Sequence, residues 1–249
     1  MAMMKNGDAL VCEYGNNRLQ TFTVYGQHRR LFRNTGRFCL KDATVSADGN
    51  IFCTEDGSKQ VFVCDEKGKY IRRFGKGKIL SPCGIAISPD SGILYIVDRR
   101  AHCVHVYDQD GNRLKLFGSH GRQAGQLNHP TFVCIDSSGN VYVSDSNNHR
   151  INVYDSDGNF LYTFGSHGSG RDQLDNPQGV AVDKNGRVYV ADNNNNRLLQ
   201  FTGDGTFISR VDDPQGGLKS PTGVCVTDDD LLMVSDCDNS CVRVFALNQ

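Results

Sequence analysis

The sequence of 249 residues lacks several features that would fix its class at once. No apolar run approaches the roughly 18 residues of a membrane-spanning helix, so no membrane association is expected. The start, MAMMKNG, is too short and turns polar too soon for a signal peptide. The net charge is −1, from 27 basic and 28 acidic residues, which argues against a generally cationic nucleic-acid binder. A local basic patch is still compatible with this neutral total.

The ten cysteines lack the spacing of a zinc or disulfide framework, because no CxxC pair occurs. Most alternate with apolar residues, as Cys134 does in TFVCID and Cys225 in TGVCVT. We interpret them as reduced, mostly buried thiols, and we expect a cytoplasmic protein. Cys237 and Cys241 lie four positions apart, and a structural or free-thiol role is favoured over a zinc site.

A helical period is also absent, and a much longer period takes its place. The pentapeptide FGSHG occurs at 117–121 and again at 164–168, and the residues around it recur as well. Each copy has an acid after its first apolar run, at Glu13, Glu55, Asp98, Asp145, Asp192 and Asp236. Successive acids are 42 to 47 positions apart. A period of this length is typical of solenoids, propellers and arrays.

Each copy contains short alternating runs separated by turn residues. In the fifth copy these runs are GVAVD, RVYVAD, RLLQF and TFISRV, and DKNG and TGDG between them suit tight hairpins. Four antiparallel strands per copy make one propeller blade, so we predict an all-β, six-bladed β-propeller that forms a single domain over 1–249. The predicted repeats are approximately 1–35, 36–74, 75–117, 118–164, 165–211 and 212–249.

The sixth copy has room for only three strands, because CVRVFAL is followed by just Asn248 and Gln249. A three-stranded blade leaves an unpaired outer edge, which proteins usually cover. We expect residues upstream of Met1 to supply the missing strand.

The stretch DSNNHRINVYDSDGNFLYTFG, followed by PQGVAVD, resembles the NHL repeat. The resemblance covers all six copies, is strongest in 81–205, and is closest to the carboxy-terminal NHL domain of tripartite-motif (TRIM-NHL) proteins. It implies a non-enzymatic propeller that recruits protein partners or substrates for a ubiquitin ligase, or one that binds single-stranded RNA for translational repression. It also implies that the full-length protein has an upstream RING and oligomerises through a coiled coil. This sequence departs from the family where Gln60, Cys103 and Cys241 replace the usual Arg.

One face of a propeller carries the loops from strand four to the next strand one and from strand two to strand three; we call it the top face. Its charges are divided, with cations in copies three and four and acids in copies five and six, among them Asp172, Asp175, Asp212, Asp213 and Asp238. The candidate ligand-binding residues are Lys76, Lys78, Arg99, Arg100, His102, Arg122 and His149. Recurring acids and arginines, such as Asp145 and Arg150, are interpreted instead as blade-to-blade hydrogen-bond pairs.

Two ligands suit such a face. A protein partner is the first hypothesis, because opposed charge patches fix orientation. Single-stranded RNA is the alternative, although Tyr14 and Phe38 are the main rings available for base stacking. No cofactor, metal or catalytic activity is expected, since histidines and carboxylates are not predicted to converge and no nucleophile–base pair can be identified. The turns DQDG (108–111) and DSDG (155–158) are too short for calcium loops.

Overall fold

The computed structural model describes residues 1–33 and 39–247, and these residues fold almost entirely as strands. The strands form six antiparallel sheets that follow one another along the chain. This arrangement confirms the predicted six-bladed β-propeller. The chain divides into two compact units, 1–117 and 118–249, each with three sheets.

In the first unit, three four-stranded sheets contain strands β1 to β12 in order. The strands are β1 (Ala2–Met3), β2 (Ala9–Glu13), β3 (Arg18–Phe22), β4 (His28–Arg33), β5 (Leu40–Val45), β6 (Ile51–Glu55), β7 (Gln60–Cys64), β8 (Tyr70–Phe74), β9 (Pro82–Ile87), β10 (Leu94–Asp98), β11 (Cys103–Tyr107) and β12 (Arg113–Phe117). Phe117 ends a fourth strand, as the first FGSHG motif predicted.

In the second unit, two four-stranded sheets are followed by a three-stranded sheet. The strands are β13 (Val133–Ile135), β14 (Val141–Asp145), β15 (Arg150–Tyr154), β16 (Phe160–Phe164), β17 (Pro177–Val182), β18 (Val188–Asp192), β19 (Arg197–Phe201), β20 (Phe207–Arg210), β21 (Pro221–Val226), β22 (Leu231–Asp236) and β23 (Cys241–Ala246). One 3-10 turn, Ser146–Asn148, joins β14 to β15.

The sixth sheet has three strands among the described residues, as the sequence predicted. A further strand from upstream residues stays a prediction, as does the organisation of the chain as one domain. Within the described part of the chain there is no helix that could span a bilayer.

The second strand of most sheets is buried along its whole length. All five residues of β6, β10, β14 and β18 are buried, which explains apolar runs such as LYIVD and VYVAD. Each of these strands ends in an acid, and the same burial therefore takes a carboxylate out of water.

Two inner strands, β17 and β21, approach each other closely at the glycine of the Pro-x-Gly-Val pattern. Gly179 of β17 packs so tightly against β21 that a Cβ there would overlap the carbonyl oxygen of Thr222 and crowd Val224. The obstacle is partly backbone, which cannot rotate away as a side chain could. Glycine at this position is therefore a packing requirement of the two strands.

We predict that Gly179→Ala lowers the free energy of unfolding by about 3 kcal/mol, because overpacking against a fixed backbone is costly. Gly15→Ala is the matched control, since a Cβ at Gly15 meets nothing within 4 Å and its φ is not positive. Urea unfolding of both variants measures the difference. Equal stability of the two variants would contradict the packing account.

Candidate ligand-binding face

A buried acid at the end of most second strands organises the loops of the top face. In the fifth sheet, Asp192 Oδ2 accepts hydrogen bonds from Arg197 Nε at 2.7 Å and Asn195 Nδ2 at 2.8 Å. Asp192 Oδ1 accepts the backbone N–H of Asp175 at 2.6 Å. The guanidinium of Arg197 also donates to three carbonyl groups of the loop over 169–173. One carboxylate thus ties the loop that precedes β17 to the β18–β19 hairpin.

The arginine partner lies directly opposite its acid within one hairpin, as Arg150 lies opposite Asp145. The expectation that recurring acids and arginines pair between blades was therefore wrong. The geometry agrees with the expectation that these acids and arginines are structural. Asp145 is fully buried. Arg150 donates hydrogen bonds to Asp145 and to the loop carbonyls of Arg122, Gln123 and Gln126.

Three sheets lack arginine opposite the acid, and in each a basic side chain reaches the acid from another position. In the third and sixth sheets Cys103 and Cys241 lie opposite the acids, and the residue two positions later supplies the contact. His105 Nε2 lies 3.3 Å from Asp98 Oδ2, and Arg243 Nε lies 2.6 Å from Asp236 Oδ2.

In the second sheet Gln60 lies opposite Glu55, and the partner comes from the fourth strand instead. Arg73 of β8 donates from Nε to Glu55 Oε2 at 2.8 Å. All six acids, including the less buried Glu13 with Arg18, thus have a basic partner.

Asp98 shows how these contacts balance burial. Burial alone would raise the pKa of Asp98, but the hydrogen bonds from His105 and from the backbone N–H groups of Leu80, Ala101 and Ser81 together lower it. At Asp192, by contrast, burial dominates and the pKa is raised despite its hydrogen bonds. The ionised form of Asp98 is therefore stabilised by the fold.

We predict that the cost of Asp98→Asn in unfolding free energy is greatest near neutral pH, at about 2 kcal/mol. An acid whose pKa is lowered by folding stabilises the fold above its unfolded pKa of about 3.9, and this stabilisation is lost as the pH falls through the folded pKa. The cost should therefore shrink below about pH 4, where the unfolded chain takes up a proton on Asp98 before the folded chain does. Urea unfolding across this pH range measures it, with exposed Asp110→Asn as control. A pH-independent cost would contradict the assignment.

Four of the predicted cations lie on two loops that Asp98 joins in the first unit. Asp98 accepts N–H groups from the loop over 75–81 and from Ala101, and the N–H of Arg99 donates to the carbonyl of Ser81 at 3.0 Å. The four side chains are those of Lys76, Lys78, Arg99 and Arg100. All four are exposed, and none has a hydrogen bond or ion pair among the described residues.

Besides these cations, the first unit exposes apolar and aromatic side chains. Leu80, on the same loop, is 51% exposed. Tyr14 is half-exposed, but Lys41 Nζ lies 3.8 Å from the centroid of its ring, so one face of the ring is occupied. Phe38, the other predicted stacking ring, lies outside the described residues.

The remaining predicted residues have different surroundings. His102 adopts a left-handed conformation, with φ of 55°, four positions after Asp98. Arg122 is exposed in the second unit, where its carbonyl accepts from Arg150. His149 is not a free contact residue, because its Nδ1 accepts the N–H of Asn176 at 3.1 Å.

The acidic part of the top face is smaller than predicted. Asp212 is buried and pairs with Arg210 at 2.6 Å, so it contributes no exposed charge. Asp172, Asp213 and Asp238 are exposed.

The turns DQDG and DSDG use their first carboxylates to accept N–H groups of Asn112 and Asn159, as hairpin turns do.

The expectation that histidines and carboxylates do not converge was wrong. His149, His167 and Asp175 each offer a ligand atom within 4.8 Å of the others. Two features of the sequence point to this cluster. His149 lies four positions after the acid of its copy, where other copies have residues such as Asn196. The loop next to it carries both His167 and Asp175.

A cysteine, a histidine and an aspartate also contact one another in a row, which we call the cysteine–histidine–aspartate line. The sequence analysis did not predict it. Cys103 Sγ lies 3.8 Å from His105 Nε2, which in turn contacts Asp98. Burial raises the pKa of Cys103 to about 12, so the group is a thiol at neutral pH. Cys103 and Asp98 also lie next to the same ring nitrogen of His105, Nε2. A catalytic relay needs the cysteine at one ring nitrogen and the acid at the other. The geometry therefore fits a structural pair.

Comparison with known proteins agrees with this fold. The NHL repeat family matches residues 127–154, 174–201 and 218–245. The protein brain tumor of Drosophila melanogaster is 28% identical over 125 residues, which are 47% of this chain and 12% of that protein. The aligned region is thus a small part of the relative.

Solved structures share the architecture at low identity. Virginiamycin B lyase from Staphylococcus aureus has a TM-score of 0.72 at 14% identity, covering 99% of this chain and 83% of that one. A chain of a nidogen/laminin complex has a TM-score of 0.75 at 15% identity, covering 96% and 93%. At this identity the likeness shows the fold alone.

The matched NHL repeats, the six blades and the partial similarity to brain tumor together support an NHL-repeat propeller domain of the TRIM-NHL type. A propeller of this type is a protein-binding domain.

Proposed function

We propose that this propeller is the non-enzymatic recognition domain of a TRIM-NHL-type ubiquitin ligase and that it recruits protein partners or substrates for ubiquitination. The observation that carries the proposal is the set of four exposed cations on loops fixed by Asp98, together with exposed Leu80. We call these five residues, Lys76, Lys78, Leu80, Arg99 and Arg100, the cationic loop pair.

A protein ligand fits the cationic loop pair better than RNA does. An apolar side chain among cations suits a peptide that combines acidic residues with an apolar anchor. The loop backbones are fixed by hydrogen bonds to a buried acid, so little ordering is needed on binding. The side chains of the four cations have no hydrogen bond or ion pair among the described residues, so no side-chain contact within the fold accounts for them.

Single-stranded RNA is the second candidate, and the same cations favour it, since phosphates need positive charge. RNA recognition also uses flat rings for base stacking. In the described loops of the first unit, the ring of Tyr14 has one face against Lys41, which leaves less stacking surface.

The proposal includes the features implied by the family resemblance. Ubiquitin transfer and oligomerisation would require upstream RING and coiled-coil segments. A cytoplasmic location is supported by ten free cysteines, because such thiols persist in reducing compartments. A non-enzymatic role is supported by the buried, protonated thiol of Cys103 in the cysteine–histidine–aspartate line.

We predict that a displayed library of random peptides, selected on this protein, enriches acidic peptides with an apolar residue. Arg99→Glu with Arg100→Glu should weaken those peptides by at least about tenfold, or about 1.4 kcal/mol. Most of that loss should be slower association, because the cations steer the approach. Fluorescence anisotropy and stopped-flow mixing measure affinity and rate, and the melting temperature should be unchanged.

Arg113→Glu is the control, since Arg113 is an exposed cation on outer strand β12 of the same unit. An equal loss in this control would contradict a specific site. A parallel selection with random single-stranded RNA at physiological salt tests the second candidate. A short RNA motif whose binding and salt dependence both fall in the double variant would replace the peptide ligand with RNA.

A further inference from the structure

Two histidines and a carboxylate converge in the second unit. His149 Nδ1 lies 3.1 Å from Asp175 Oδ1, and His167 Nε2 lies 4.0 Å from the same oxygen. The two imidazole rings are 4.2 Å apart between centroids. Across residues 1–33 and 39–247, no other three residues of the types His, Cys, Asp and Glu come together in this way.

The backbone holds all three residues in place. His149 closes the 3-10 turn with φ of 56°, and its N–H donates to the carbonyl of Ser146 at 3.1 Å. The N–H of Asp175 bonds buried Asp192. His167 forms a parallel bridge with Leu174 within one loop. The cluster therefore rests on ordered structure, with only the side chain of His167 largely exposed.

The contact between His149 and Asp175 contains an electrostatic conflict. His149 Nδ1 accepts the N–H of Asn176, so in that state the nitrogen carries a lone pair and no proton. The carboxylate oxygen 3.1 Å away is also an acceptor. Two acceptors at this distance repel each other unless a proton or a cation lies between them.

We propose that His149, His167 and Asp175 bind one zinc ion, with water completing the coordination. Two imidazole nitrogens and one carboxylate are a zinc donor set, whereas calcium and magnesium require more oxygen ligands. Zinc bonds of about 2.0–2.2 Å place tetrahedral ligand atoms roughly 3.4 Å apart. His149 and Asp175 are already at 3.1 Å, and the His167 side chain, 68% exposed, is free to rotate inward from 4.0 Å.

Zinc at Nδ1 displaces the hydrogen bond from Asn176, while the bond from His149 N–H to Ser146 keeps the turn in place. The ion then joins the β14–β15 turn to the loop that precedes β17. Because zinc binds the folded chain, it should also raise the melting temperature.

The repeat itself provides matched variants. In the fifth sheet Asn196 occupies the position of His149, with φ of 53°, and its Oδ1 accepts the N–H of Ser220 at 2.8 Å. His149→Asn therefore keeps the turn and the loop contact but removes the ligand. Asp175→Asn reproduces Asn128, the residue 17 positions before Asp145, as Asp175 is before Asp192. His167→Ala changes an exposed side chain.

Isothermal titration of the full chain with zinc chloride tests the site. We expect one zinc per chain, and each of the three variants should weaken binding by about tenfold or more. His120→Ala, which alters the first FGSHG motif, and Cys237→Ser with Cys241→Ser should leave affinity unchanged. Calcium chloride should give no binding at the same concentrations.

Absence of stoichiometric zinc binding would overturn the proposal. So would zinc binding that survives His149→Asn and His167→Ala, or that is lost only in the cysteine variant, because the ion would then lie elsewhere. The melting temperature of each variant without zinc should match that of the unmodified chain, which separates loss of the ligand from loss of the fold.

Discussion

The interaction on which this structure most depends is that of a carboxylate, buried in five of the six sheets, with a basic side chain at the end of each second strand. An ionised acid out of water is costly unless it is paired and hydrogen-bonded. Each of these acids has both kinds of contact, and five of the six have fully buried side chains. Four of these carboxylates, those of Asp98, Asp145, Asp192 and Asp236, also accept N–H groups from the loop that leads into the sheet, as Asp236 does from Lys219. The pairing thus fixes the loops of the top face.

The acid needs a basic partner, but the position in the sheet that supplies this partner differs from one sheet to the next. Residues at the fifth and seventh positions after the acid point to the same side of the third strand, because side chains alternate along a strand. Cysteine at the fifth position therefore coincides with His105 or Arg243 at the seventh. In the second sheet Phe62 fills the seventh position, and Arg73 reaches Glu55 from directly opposite Phe62. The pair, rather than any single arginine, is what the blade requires.

The sequence was sufficient to predict the six sheets, since the acids and turn residues recur at a regular interval. It also identified exposed cations that the repeat does not require, such as Arg99 and Lys78. It did not identify Arg73 as a partner of Glu55, because that contact comes from the fourth strand, whereas the family resemblance points only to the position of Gln60 for the basic residue. The contact of His149 with His167 was missed for a related reason. It depends on how the loop over 165–176 folds back onto the preceding turn, which local patterns do not encode.

The most direct test of the account is to move the basic group within the sixth blade. Arg243→Asn should lower the free energy of unfolding by about 2 kcal/mol, because Asp236 loses its charged partner. Adding Cys241→Arg reproduces the Arg150 and Asn152 arrangement of the fourth blade and should restore most of that loss. Urea unfolding of the two variants and the unmodified chain measures this rescue. A double variant no more stable than Arg243→Asn alone would contradict the claim that the acid needs a basic partner rather than a particular residue.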